Sequence, residues 1–581
     1  MKAVTLSLAA LAVATGVLGM ERAAAAAAER PASSYADIVM RHGKVVTVDA
    51  KFDVATAIAI RGDRILDVGS DAALAGLIGP RTRVMDLEGR TVIPGLIDDH
   101  HHFLSKAIDA YLGVDIALSP SIADVVQRIK QKIAHTPPGE LVYTSSGWLP
   151  AQFKENRTPT RADLDPVSPD NPVIVQGGHS IYLNSYALRK LGITRDTPSP
   201  PGGVIDKDPT TGEPTGRLTE NAQNLARSMP RGVATDEQKL AALRDGQKKM
   251  NAAGITSLRE PGITAANMRI FQRLHDSGDM TVRVSMSYDL DPAKSADELI
   301  QELQTWGVST GFGDSMLRLD GIGEFGIDGG FEGALMSEPY EHPPGNEAPG
   351  KYFGLQRIPT EKFEKVIIAL NRLDWRACIH TAGDRALDIV LDAYEKANKE
   401  KPIARKRWTL EHLLYTRPDQ FARIKALGLV VSTQFHAYMA AADMVNFWGR
   451  ARAQKATRVR DWLDAGLVVG GGSDWSLLPA DPFWMIYFFV TRDSRLSGVL
   501  GPEERISRQE ALRLMTINNA YITMEEGIKG SLEPGKLADL VVLSADVMTV
   551  PEQQIRDITP LLTMVGGKVV WQSTPGKLSF N

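Results

Sequence analysis

Eight short apolar runs, each followed by a helix-like pattern, constrain this chain more than any other feature. The runs are Thr91 to Ile97, Ile255 to Arg259, Thr281 to Tyr288, Met316 to Glu324, Arg376 to His380, Trp408 to Glu411, Leu429 to Thr433 and Leu467 to Gly472. Apolar runs of this length alternating with helices argue for buried parallel strands, and eight of them predict an α/β protein built on a (β/α)8 TIM barrel. The gap between the first and second runs is too long for one crossover. Residues from about 105 to 250 are therefore expected to form a large insertion after barrel strand 1. Its Pro/Gly-rich loops, such as Pro198-Ser199-Pro200-Pro201-Gly202-Gly203, suggest an irregular cap over the barrel mouth. Residues 36–90 and 526–575 share a β-rich texture, seen in Val45-Val46-Thr47-Val48 and Leu540-Val541-Val542-Leu543. They predict one small β-sandwich domain formed by both chain ends, with the barrel spanning 91–525.

The N-terminus reads as an address. Lys2, the apolar run Ala3 to Met20 and the alanines 23–28 fit a cleavable secretory signal over 1–28, which places the mature protein in a periplasm or outside the cell. An uncleaved anchor is the alternative reading. No later segment is long and apolar enough to span a bilayer, so stable membrane insertion is not expected after cleavage. The formal net charge of −4 gives no basic field to draw in nucleic acid. The single cysteine, Cys378, excludes an intrachain disulfide and Cys-rich zinc sites, so any metal must be held by histidines and carboxylates.

Seven of the eleven histidines fall at or just beyond the ends of the expected strands or in the cap. That is the side on which barrel enzymes carry their chemistry. His100 and His102 are two apart in extended chain, so their side chains leave on one face while His101 points away. His380 ends the fifth run, His412 follows the sixth and Asp474 closes the eighth. Each signal alone is weak; their joint placement on strands one, five, six and eight predicts a metal site. Gly470-Gly471-Gly472 fails as a phosphate loop because no Gly-x-Gly-x-x-Gly or Lys-Ser/Thr ending follows. His42, His135, His275 and His342 read as surface residues.

Pro94-Gly95-Leu96-Ile97-Asp98 with His100 and His102, and Gly530-Ser531-Leu532-Glu533-Pro534-Gly535-Lys536-Leu537-Ala538-Asp539-Leu540, resemble the signature of the amidohydrolase superfamily. Gly178-His179, Asn184-Ser185-Tyr186-Ala187-Leu188, Pro214-Thr215-Gly216 and His380 with Gly383-Asp384 narrow the resemblance to amidohydrolase family 3, the YtcJ-like metal-dependent hydrolases. The resemblance implies that His100, His102, His380 and His412 are metal ligands, and that Asp474 is both ligand and general acid/base. Relatives often carry a carboxylated lysine four residues before an Asp-Gly after strand four. Here Glu324 stands at that position before Asp328-Gly329. A glutamate could bridge two cations without added carbon dioxide, which leads us to expect reconstitution that does not need bicarbonate.

Histidine and carboxylate donors suit Zn2+, as one ion or two, and also Mn2+, Fe2+ or Ni2+. The expected reaction is hydrolysis of a carbon–nitrogen bond in a small amide, formamide, N-acyl amino acid or cyclic amide, with Asp474 shuttling the proton. Lactone or ester hydrolysis and amidine deamination on the same site stay open, and a non-catalytic binding protein is the alternative of another class. His179 and His436 are candidates to hold the carbonyl or oxyanion. Tyr182, Trp148, Trp475 and Trp484 are candidates to line an apolar pocket, whereas Glu220 and Arg259 lie near the expected mouth without a role. Self-association through the outer helices is also open.

Overall fold

The computed structural model describes residues 35–580, apart from 117–118, 146–147, 149–152, 156, 178–179, 201–202, 230–233, 344–349, 475–481, 496 and 575–577. The expected leader lies outside the described residues, as do His179 and Trp475. No helix among the described residues is long and apolar enough to cross a membrane.

The fold is α/β of the TIM-barrel type. Its parallel strands are β1 (Leu96–Asp98), β2 (Ile255–Ile263), β3 (Arg283–Tyr288), β4 (Leu317–Ile322), β5 (Cys378–Thr381), β6 (Thr409–His412), β7 (Val430–Gln434) and β8 (Val468–Gly472). They form two four-stranded sheets, β4-β3-β2-β1 and β5-β6-β7-β8. An isolated parallel bridge pairs Ile322 with Ala377 at one seam. At the other, Asp99 N donates to Gly471 O at 3.4 Å, and Ser473 donates to the Asp98 carboxylate from its backbone N at 2.9 Å and its Oγ at 2.6 Å. β3 and β7 are buried at every position, as strands sandwiched between helices and a packed interior must be.

The helices between strands carry their own start signals. Ser295 and Glu298 form a capping box at the start of Ala296–Gln304, and the Thr264 hydroxyl caps Ala265–Asp276. In Asp384–Glu400 the buried residues Ala386, Leu387, Val390, Leu391, Tyr394 and Ala397 recur every three or four positions, giving one apolar stripe against the strands. Each large side chain buried there contributes about 1.5–3 kcal/mol.

The first expected strand is two strands. Thr91–Pro94 pairs antiparallel with Leu540–Leu543, Val541 lying opposite Ile93, and belongs to a six-stranded sheet built from both chain ends. Only Leu96–Asp98 enters the parallel set, where Leu258 of β2 lies opposite Asp98. The break is at Gly95, where a Cβ would lie 2.2 Å from Thr256 Oγ1. A continuous apolar run hides such a change of sheet, because both halves are buried. A second sheet of four strands, Arg64–Gly69, Ala57–Arg61, Ile38–Arg41 and Arg83–Asp86, shares with the first one cluster of buried residues that includes Ile38, Ile58, Met85, Val92, Leu540 and Met564.

Between β1 and β2 the chain forms a five-stranded sheet whose members run from Val142–Tyr143 to Pro214–Glu220. Two separate apolar clusters accompany this sheet, one around Val125, Trp148 and Tyr182 and one around Ile181, Leu188 and Leu218. The helix Asp236–Ala252, which leads into β2, packs on Phe103–Leu112.

Candidate metal centre

All six residues expected to hold metal converge at the C-terminal ends of the parallel strands. Three overlapping groups of donors each fit around one point: His100, His102 and Glu324; Glu324, His380 and His412; and His100, His412 and Asp474. Glu324, two residues beyond β4, is the hinge of the arrangement. Its Oε2 faces one histidine pair, 3.7 Å from His100 Nε2 and 3.6 Å from His102 Nε2. Its Oε1 faces the other, 2.8 Å from His380 Nδ1 and 2.5 Å from His412 Nε2. Asp474, which groups with His100 and His412, also approaches the first histidine pair, with Oδ1 3.2 Å from His102 Nε2 and 3.5 Å from His100 Nε2.

The rings are fixed from behind. His100 Nδ1 lies 2.8 Å from Glu411 Oε2, His412 Nδ1 lies 2.6 Å from Gln434 Oε1, and His380 Nε2 lies 3.2 Å from Gly329 O. The Gln434 amide is itself oriented, since its Nε2 donates to Ser432 O and Oγ. All three partners can only accept, so these ring nitrogens carry the protons and the opposite nitrogens turn their lone pairs inward. His100 Nε2 is buried there without a hydrogen bond. Lone pairs facing carboxylate oxygens require a proton or a cation between them, and this donor set of imidazoles and carboxylates fits a divalent metal.

The electrostatics of the site agree. Burial works against the ionised Glu324, but the charges of His412 and His100 and the hydrogen bond from His380 outweigh it and hold the carboxyl well below its ordinary range. Asp474 is held down in the same way by His100, His102 and His436. Burial disfavours the charged form of His380, yet Glu324 and Asp328 push it up to about 9. His412 goes down instead, because burial and the neighbouring His380 outweigh Glu324.

Two of the convergent residues have backbones in the left-handed region, His412 at φ 72° and Asp474 at φ 47°. Such conformations cost non-glycine residues about 1–3 kcal/mol and cluster at functional sites. At His412 the turn has a visible effect. Neighbouring side chains in extended chain leave on opposite faces, yet His412 reaches Glu324 at the centre while Glu411, directly before it, reaches His100 from behind.

Sequence reasoning missed the support around the rings. Arg259, without a role from sequence, is fully buried and grips Glu411 with two hydrogen bonds of 2.7 and 2.6 Å, while its Nε donates to Asp99 O at 2.6 Å. Glu411 would be raised by burial but is held low by Arg259 and His100. Asp328 accepts from the backbone N–H groups of Leu335, Ala382 and Gly383, pinning the loop after β4 to the end of β5. The only local signal was Glu411 directly before His412. His436 sits beside the centre with Nε2 2.9 Å from Asp474 Oδ2, so its partner in this structure is the carboxylate. Trp148 packs on Phe153 and Tyr182, and Trp484 donates to Arg556 O; both are accounted for by packing. The triple glycine of β8 serves close approach: a Cβ on Gly472 would lie 2.6 Å from Asp99 Oδ1 and 2.7 Å from His100 N.

A model of the amidohydrolase family matches residues 83–571. An N-substituted formamide deformylase of Arthrobacter pascens is 29% identical over 550 residues, covering 93% of this chain and 99% of its own. The putative amidohydrolase YtcJ of Bacillus subtilis is 27% identical over 545 residues, 92% of this chain and 99% of its own. Among solved structures, an uncharacterized metal-dependent hydrolase from Pyrococcus furiosus superimposes with a TM-score of 0.67 at 26% identity, covering 88% of this chain and all of that one.

Proposed function

This chain belongs to the amidohydrolase family of metal-dependent hydrolases, and on that premise we propose that it hydrolyses the carbon–nitrogen bond of a small non-peptide amide, with N-substituted formamides the first substrates to test. The observation that carries the reading is the Glu324 carboxylate, whose two oxygens face two different histidine pairs. His100, His102 and Asp474 would hold one cation with Glu324 Oε2, and His380 and His412 a second with Oε1. The proposed metal is Zn2+. When bound, the cations supply Lewis acidity to the scissile carbonyl and the attacking water.

The proton path belongs to Asp474. Its carboxylate faces the centre, where it would take the proton of the attacking water and return it to the departing nitrogen. Its Oδ2 accepts from His436, which fixes the carboxylate's orientation; that contact favours a positioning role for His436 over contact with the substrate oxyanion. His179 stays a candidate for the oxyanion from the cap. We read the two parallel sheets as one closed eight-stranded barrel, supported by the Ile322–Ala377 bridge and the Asp99–Gly471 bond. We read the two sheets of the chain ends as the β-sandwich at its side. Residues 1–28 are proposed as a signal that delivers the enzyme to a periplasm or beyond it.

The test is a panel of N-substituted formamides, N-acyl amino acids, cyclic amides, lactones and amidines on metal-loaded protein, beside Asp474→Asn. Formamide or amide turnover lost in the variant with metal largely retained supports the reading. Turnover only of lactones or amidines, or an active variant, refutes it.

A further inference from the structure

The long loop after β4 folds back on its own first residues beside the mouth. Met336 N donates to Phe353 O, Leu355 N to Gly333 O and Arg357 N to Ile327 O, so residues 353–357 run alongside 327–336. Two side chains of that returning stretch stay in solvent. Leu355 is 56% exposed, with its Cδ1 3.7 Å from where a Cβ on Gly333 would lie. Arg357 is exposed too, and a Cβ on Gly326 would lie 3.2 Å from its Nη1 and 3.2 Å from His380 Cβ. The guanidinium and the His380 ring therefore flank one small space that glycine keeps open. Among the described residues the Arg357 side chain makes no hydrogen bond and no ion pair. Other arginines around the strand ends are engaged: Arg259 by Glu411, Arg376 by Asp320 and Arg417 by Asp384. The Asp289 carboxyl, just past β3, is within electrostatic reach of Arg357, His102 and Glu324 without pairing with Arg357. Burial and the charges of Glu324 and Asp291 push it up to about 6 against the pull of Arg357 and His102. An incoming anion is thus repelled from the side of Asp289 and drawn to that of Arg357.

We propose that Arg357 is a specificity-determining residue of this site, selecting small amides that carry a carboxylate, with Leu355 beside it taking an aliphatic part of the same substrate. The inference rests on the amide-hydrolase reading above. A guanidinium presents a planar fork of N–H donors that matches a carboxylate, and one without a partner gives up no ion pair to bind it. Because the acyl part of a formamide is a single carbon, the carboxylate sits on the amine part. The substrate class is therefore an N-acylated amino acid with an aliphatic side chain, held by its carboxylate at the rim while its amide reaches the strand ends.

The experiment compares N-formylleucine, as both enantiomers, with N-(3-methylbutyl)formamide, which lacks only the carboxylate, on the metal-loaded protein. We expect kcat/KM for one enantiomer of the acid to exceed that for the neutral compound by at least about 10-fold, mostly through KM. Arg357→Gln should bring that ratio to about one, Arg357→Lys should keep part of it, and Arg357→Glu should invert it. Since the side chain is exposed and holds nothing else among the described residues, these variants should fold, and elemental analysis should find their metal content equal to the parent's. N-formylleucine should also be preferred over N-formylglycine by about 10-fold, and Leu355→Ser should narrow that preference. A neutral formamide turned over as well as the acid, or an acid preference that survives in Arg357→Gln, would overturn the inference and leave the hydrolase reading standing. So would turnover of neither compound while other amides are cleaved. A leucine preference that survives in Leu355→Ser would overturn the aliphatic half. No amide turnover at all would overturn the hydrolase reading with it.

Discussion

Arg259→Met isolates what the buried pair beneath the metal centre contributes. Arg259 and Glu411 are both fully buried, the guanidinium makes two hydrogen bonds to the carboxylate, and its Nε holds Asp99 O. Removing one partner of a buried ion pair costs about 3–5 kcal/mol, because the other charge stays in the interior uncompensated. The stranded Asp99 carbonyl adds about 1 kcal/mol. The expected loss is therefore roughly 4–6 kcal/mol. Replacing both residues, Arg259→Met with Glu411→Met, removes the orphaned charge and should recover at least about 2 kcal/mol of it. Urea unfolding of chelator-treated protein would read the difference, with metal absent so that ligand binding does not shift the midpoint. The buried tryptophans Trp375, Trp408, Trp448 and Trp462 report on the core by fluorescence. A single variant within about 1 kcal/mol of the parent, or a double variant as unstable as the sum of the singles, would refute the reasoning.

Gly472→Ala would drive a Cβ to 2.7 Å from the backbone N of His100, which cannot step aside as a flexible side chain could. A loss of about 1–3 kcal/mol in stability and a lower metal content on elemental analysis are expected, and normal metal with normal stability would contradict that close approach. Burial pushes the Cys378 thiol up to about 12, so a thiol reagent should find no reactive group in the native protein and one after denaturation. Burial opposes ionisation of Glu525, but Lys529 and Arg318 outweigh it and depress the folded carboxyl. A depressed folded value stabilises above the unfolded carboxylate range of roughly pH 4 and loses that stabilisation as pH falls through the folded value, so Glu525→Gln should flatten the fall of Tm between about pH 5 and 3. An unchanged slope would exclude that pair as a source of acid sensitivity.

Much of this protein is legible along the chain. Seven of the eight parallel strands lie within a few residues of the apolar runs that announced them, because a strand buried on both faces must be apolar throughout. The histidines and Asp474 were legible for a similar reason: strand ends of such a fold share one mouth, so residues at remote positions in sequence meet there. Glu324 could be named as a candidate ligand from its place before Asp328-Gly329. That each of its oxygens serves a separate histidine pair depends on distances across the mouth. Only the tertiary structure gave Arg259 and Glu411 their partnership, since they lie 152 residues apart and nothing local marks two opposite charges as a buried pair. The split at Gly95 was likewise invisible, because both halves of Thr91 to Ile97 are buried, one in each sheet. Sequence determined which chemical groups stand at the ends of the strands; packing decided how they are oriented, because ring orientation is set by acceptors that arrive from other strands and loops.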